Sequence, residues 1–129
     1  MPHLRLEYSP GLERRADLGA LCDSLHRAMM ETGIFPLAGI RIRAFRADHW
    51  IVADGLPEND FAALTLMVGA GRPRQLLARA GAAIMAAAEA ALAGPLASPH
   101  FALSLEIREI DPELSWKNTP IHARLSGKA

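Results

Sequence analysis

The chain has 129 residues, half of them hydrophobic, and its 14 basic and 14 acidic side chains leave no formal net charge at pH 7. Such a chain is long enough for a real core and too apolar for disorder. Its balanced charge excludes the basic footprint of a nucleic-acid or anionic-membrane partner. Cys22 is the only cysteine, which excludes an intrachain disulfide and a multi-cysteine zinc site.

No apolar run follows Met1-Pro2-His3-Leu4-Arg5, so no secretion signal is expected. The nearly uncharged stretch from Ala80 to Ser98 contains Glu89 and Pro95 and is mostly Ala and Gly. It suits a packed helix better than a membrane span, and a cytoplasmic protein is expected.

From His3 to Tyr8 the side chains alternate: Leu4, Leu6 and Tyr8 on one face, His3, Arg5 and Glu7 on the other. Period 2 predicts a strand, broken by Ser9-Pro10-Gly11. A helix follows to about Glu31, with Leu18, Leu21, Cys22, Leu25 and Met29 as its buried stripe and Gly33 as its stop. After the apolar loop 34–39, a strand starts at Ile40. Ile42 and Ala44 continue its face, with Arg41, Arg43 and Phe45 opposite. His49 to Val52 reads as a short extra strand before the turn Asp54-Gly55-Leu56-Pro57.

The order then repeats. Leu64, Leu66 and Val68 alternate as a strand, Gly69-Ala70-Gly71-Arg72 turns, and Pro73 stands as a first helical residue. Leu77, Ala80, Ile84, Ala88 and Ala91 form a helical stripe ended by Gly94-Pro95. Leu103, Leu105 and Ile107 mark a last long strand, stopped by Asp111-Pro112. Leu4, Leu6 and Gly11 match Leu64, Leu66 and Gly71 at an offset of 60 residues. The expected fold is therefore α/β (α+β). Residues 1–129 form one domain with pseudo-repeats at about 2–52 and 60–111. Two tandem βαβ units make a four-stranded mixed sheet with both helices on one face. The other face (Arg5, Glu7, Arg41, Arg43, Ser104, Glu106) stays bare and could line a shared centre in an oligomer.

Several residues could carry chemistry. Pro2 is either a chance residue before an edge strand or, once Met1 is removed, a secondary amine; a small second residue permits that removal. Burial and nearby cations would lower the amine's pKa towards a base useful near neutrality. Arg72 sits at a glycine-rich strand-to-helix turn whose free N–H groups favour an anion. It is either a solvated helix-start charge or a bidentate carboxylate clamp. The turn lacks the Gly-Lys-Ser/Thr ending of a phosphate loop, and Arg74 stands where a dinucleotide fingerprint needs its third Gly. Arg41 and Arg43 share a strand face beside the apolar loop, as a ligand site or as a surface ladder paired with Glu106 or Glu109. His3, His26, His49, His100 and His122 show no metal-ligand spacing and read as structural or surface residues. Trp50 and Trp116 read as packing residues, either able to wall an apolar pocket.

The string Thr32-Gly33-Ile34-Phe35-Pro36-Leu37-Ala38-Gly39-Ile40-Arg41 resembles the hallmark of the 5-carboxymethyl-2-hydroxymuconate isomerase family. So do Ala53-Asp54-Gly55, the segment from Leu64-Thr65-Leu66 to Gly69-Ala70-Gly71-Arg72, and Leu103-Ser104-Leu105-Glu106-Ile107. The likeness runs from Pro2 to about His122. That family lies in the tautomerase superfamily, with 4-oxalocrotonate tautomerase and macrophage migration inhibitory factor. The resemblance implies a homotrimer of doubled βαβ subunits. It also implies conversion of 5-carboxymethyl-2-hydroxymuconate to 5-carboxymethyl-2-oxo-hex-3-ene-1,6-dioate in homoprotocatechuate (4-hydroxyphenylacetate) degradation. Pro2 would shuttle the proton, Arg41 and Arg72 would hold carboxylates of the tricarboxylate dienol, and Phe35 with its loop would exclude water. No cofactor and no metal are implied, because the conjugated substrate spreads its own charge. Two other readings stay open: a non-catalytic trimeric binding module that needs no free Pro2, and a superfamily enzyme with another substrate, such as a dehalogenase or decarboxylase.

Overall fold

The computed structural model describes residues 1–127. Strand β1 (His3–Tyr8) leads through a 3-10 turn at Pro10–Arg14 into helix α1 (Leu18–Glu31) and then strand β2 (Arg41–Arg46). Strand β3 (Asp60–Gly69) leads into α2 (Arg74–Ala91), a short α3 (Ala93–Leu96) and β4 (Phe101–Ile110). A tail ends in α4 (Pro120–Leu125). The sheet order is β2-β1-β3-β4; β1 and β2 are parallel, β3 and β4 are parallel, and β1 runs antiparallel to β3. This is the expected pair of βαβ units in one mixed sheet. The repeat is visible in the register: Leu4 lies opposite Leu66, and Leu6 opposite Leu64.

Alternation decides what is buried. Leu4, Leu6, Leu64, Leu66 and Val68 point to the helix-covered face with essentially no exposure. They meet Leu21, Leu25 and Met29 of α1 and Leu77, Ala80, Ile84 and Ala88 of α2. Truncating one of these leucines to Ala would cost about 2–5 kcal/mol through lost transfer energy and a residual cavity. Asp17 caps α1 by accepting a hydrogen bond from the Ala20 N–H at 3.0 Å. Gly33, at φ 72°, takes the left-handed turn that ends it.

Several expectations need correction. His49 to Val52 forms no strand. β1 ends at Tyr8, opposite Arg46, so beyond there β2 has no neighbour to bond. The Val52 carbonyl instead accepts hydrogen bonds from the Gly55 N–H at 2.9 Å and the Asn59 side-chain amide at 3.1 Å. Pro73 is the N-cap of α2 rather than its first residue. α2 stops at Ala91, before Gly94-Pro95, which lie inside α3. Ala91 is exposed and Leu92 is buried in its place, because the chain turns at Leu92. Leu18 and Cys22 are only partly buried. The ladder of Arg41 or Arg43 with Glu106 or Glu109 is ruled out by strand order: β2 and β4 are opposite edges, and Glu106 pairs with Arg108 at 3.0 Å. Among the described residues, no helix is long and apolar enough to cross a membrane.

Candidate active site

The antiparallel β1–β3 pair gives the sheet two ends built from equivalent parts: the starts of two parallel strands and the end of the antiparallel one. At one end these are Pro2, Arg41 and the turn Gly69–Arg72. The Pro2 side chain is fully buried, and its carbonyl accepts from the Arg41 N–H at 3.1 Å. The apolar loop closes over it. A Cβ added at Gly39 would stand 3.1 Å from Pro2 Cδ and 3.3 Å from Met1 Cα, so the loop backbone packs tightly on Pro2 here. A Cβ at Gly69 would stand 3.7 Å from the Met1 nitrogen, which places the chain's amine over the β3 turn.

Both predicted arginines reach this end. Arg41 Nη1 donates to the Gly39 carbonyl at 3.3 Å and to His3 Nε2 at 3.2 Å. Arginine has only donors, so His3 Nε2 is the acceptor and the ring is neutral. Burial first, then Arg41, Arg43, the N-terminus and Lys117, holds the His3 pKa below its ordinary 6.5. Arg72 donates from Nε and Nη2 to the Ile34 carbonyl at 3.3 and 3.2 Å, and from Nη1 to the Gly69 carbonyl at 3.3 Å. Its guanidinium lies 5.1 Å above the centre of the Phe35 ring. Arg72 therefore fastens the apolar loop to the β3 turn while keeping its charge at the site. Phe35, 7% exposed, is the platform beneath it and part of the core.

Two adjoining cavities of about 310 and 340 Å³ open beside Met1. Pro36, Ala38, Gly39 and His122 line the first; His3, Arg41 and Trp116 help line the second; Lys117 and Thr119 belong to both. The α-amine of Met1 has its pKa lowered from 8.0 by burial, then by Lys117, Arg72 and Arg41. Among the described residues the ion pairs are Arg5–Glu7, Arg15–Asp60, Arg46–Glu13 and Arg108–Glu106. None of them neutralises Arg41, Arg72 or Lys117. An amine of lowered pKa near cations that lack a paired carboxylate favours an anionic ligand.

Trp116 walls a cavity, one of the two roles the sequence allowed it, whereas sequence reasoning missed His3 and Lys117 as parts of this end. His3 was legible in principle, because it pairs with Arg41 across β1 and β2. The tail carries no periodicity to place it; the faint signal is that Lys117 and Lys128 are the only lysines among 14 basic residues.

The fold and this end of the sheet define a doubled βαβ protein with a cationic site beside its N-terminal amine. The comparisons with known proteins narrow that class. Residues 2–125 match the 5-carboxymethyl-2-hydroxymuconate isomerase family. The chain is 38% identical to the 5-carboxymethyl-2-hydroxymuconate Delta-isomerase of Escherichia coli over 95% of this chain and 98% of that one. A crystal structure of a 5-carboxymethyl-2-hydroxymuconate isomerase from Deinococcus radiodurans superposes with a TM-score of 0.89 at 35% identity, covering 96% of this chain and 93% of that one. A fused 4-OT described as a symmetric trimer shares the fold, with a TM-score of 0.63 at 21% identity over 88% of this chain and 91% of that one. The chain belongs to the 5-carboxymethyl-2-hydroxymuconate isomerase family.

Proposed function

We propose that the chain converts 5-carboxymethyl-2-hydroxymuconate to 5-carboxymethyl-2-oxo-hex-3-ene-1,6-dioate, a step of homoprotocatechuate degradation, with Pro2 as the acid/base. One observation carries the reading: Pro2 immediately precedes β1, at an end of the sheet where Arg41 and Arg72 converge and no carboxylate among the described residues neutralises them.

The base exists only after Met1 is removed, because with Met1 attached the Pro2 nitrogen is an amide. Burial and the cations that depress the Met1 amine act on an amine at Pro2 in the same sense, favouring its neutral, proton-accepting form. Pro2 takes the 2-hydroxyl proton of the dienol. The electron pair moves along the conjugated chain, and the same proton is returned at carbon 5. Arg41 and Arg72 hold carboxylates and stabilise the charge that develops on the dienolate. His3 orients Arg41, and Phe35 supports Arg72 from below. No added group is needed to carry electrons in this step.

The bare sheet face supports a homotrimer in which that face lines the centre, and a cytoplasmic location goes with the reading. The experiment is to confirm loss of Met1 by intact mass and follow disappearance of the dienol absorbance. Pro2→Ala must lose most of the rate; full activity in that variant sinks the mechanism.

A further inference from the structure

We propose that Lys117 is a third carboxylate anchor of this site and makes it prefer a tricarboxylate over a dicarboxylate. The inference rests on the isomerase reading for its substrate class. Lys117 lines both cavities beside Met1, with Arg41 in the wall of one of them. It reaches that place through the tail. Helix α4 packs against the turn Leu37–Gly39, and Thr119 and His122 share the cavity wall with Pro36, Ala38 and Gly39. The tail is thus strapped across the loop that covers Pro2, which brings its lysine to the walls of both cavities.

The donor inventory says why a third cation is useful. The Arg72 guanidinium already gives three hydrogen bonds to the Ile34 and Gly69 carbonyls, and Arg41 gives two to Gly39 and His3. The donors left on each suffice for one carboxylate apiece. A ligand with three carboxylates would leave one without a counter-charge. Lys117 makes no ion pair among the described residues and lies at the exposed mouth, where a flexible ammonium can follow a side arm of the ligand.

The test is calorimetric titration of the Met1-free protein with propane-1,2,3-tricarboxylate and with glutarate, in the wild type, Lys117→Met and Lys117→Arg. The wild type should prefer the tricarboxylate about tenfold, with Lys117→Met collapsing most of that preference and Lys117→Arg retaining it. Lys117 is exposed, so these variants should fold. A Lys117→Met preference equal to the wild type's, or equal losses for both ligands, overturns the anchor. Kinetics with 5-carboxymethyl-2-hydroxymuconate and 2-hydroxymuconate separates the two claims. If the binding preference follows Lys117 while neither dienol is turned over, the isomerase reading fails and the anchor stands. If the dienols react but the ratio of their kcat/KM values ignores Lys117, the anchor alone fails.

Discussion

The two ends of the β1–β3 pair are built from equivalent parts and behave oppositely. At the Pro2 end three cations stand without a carboxylate. At the other end, the start of β3 supplies Asp60, which is 5% exposed and fully engaged. Its Oδ1 accepts from Ser9 Oγ at 2.7 Å and its Oδ2 from Arg15 Nη1 at 3.0 Å. Ser9 Oγ in turn accepts from the Phe61 N–H at 2.9 Å. Gly11 packs so closely that a Cβ there would overlap Asp60 Oδ1. Next to it, His100 Nδ1 meets the Asn59 side-chain oxygen at 3.0 Å. One end leaves its cations without a carboxylate partner; the other pairs Asp60 with Ser9 and Arg15 beside a cavity of about 230 Å³. The same repeated scaffold therefore leaves charge unpaired at one end and pairs it at the other.

That contrast can be broken by mutation. The largest effect is expected for Pro2→Ala, a rate loss of roughly 100- to 10,000-fold with little change in unfolding midpoint. A comparable loss of stability would show that Pro2 matters chiefly as packing. Next is Asp60→Ala, which leaves Arg15 and Ser9 without their partner. It should cost about 2–4 kcal/mol in denaturant unfolding while the residual folded enzyme keeps its kcat. Arg72→Ala tests the boundary between the two behaviours. Turnover should fall about 10- to 100-fold, and stability by about 1–2 kcal/mol because the Ile34 and Gly69 carbonyls lose their donor. A purely kinetic effect would mean that the loop holds without it.

Smallest is the pH response of His3. Its folded pKa lies below the ordinary 6.5. The unfolded chain therefore binds more protons as pH falls through that value, so this contribution to stability is complete above it and lost with acidification. His3→Gln should flatten part of the decline in stability measured between about pH 7.5 and 5.5. An unchanged slope would remove His3 from the account.

Much of the fold could be read from the alternation itself. β1 and β3 bury one face, β4 half-buries one, and α1 and α2 bury one stripe, and those patterns need only a local period and a place to hide apolar surface. The errors came where the outcome depends on a neighbour. His49–Val52 has strand-like residues but no strand beside it, and α2 ends where Leu92 finds the core rather than where Gly94-Pro95 would stop it.

The site divides in the same way. The sequence by itself determined the repeat, the Pro2 position and the resemblance that named Arg41, Arg72 and Phe35, because these sit in elements of fixed period or in one contiguous loop. Only the tertiary structure decided that Arg72 is also a fastener, that Phe35 lies beneath it, and that His3 and Lys117 join the same end. It also decided that Asp60 holds Ser9 and Arg15 at the opposite one. Those facts depend on which strand ends meet and where the tail docks, and hydrogen bonds and charges act across space with no period along the chain.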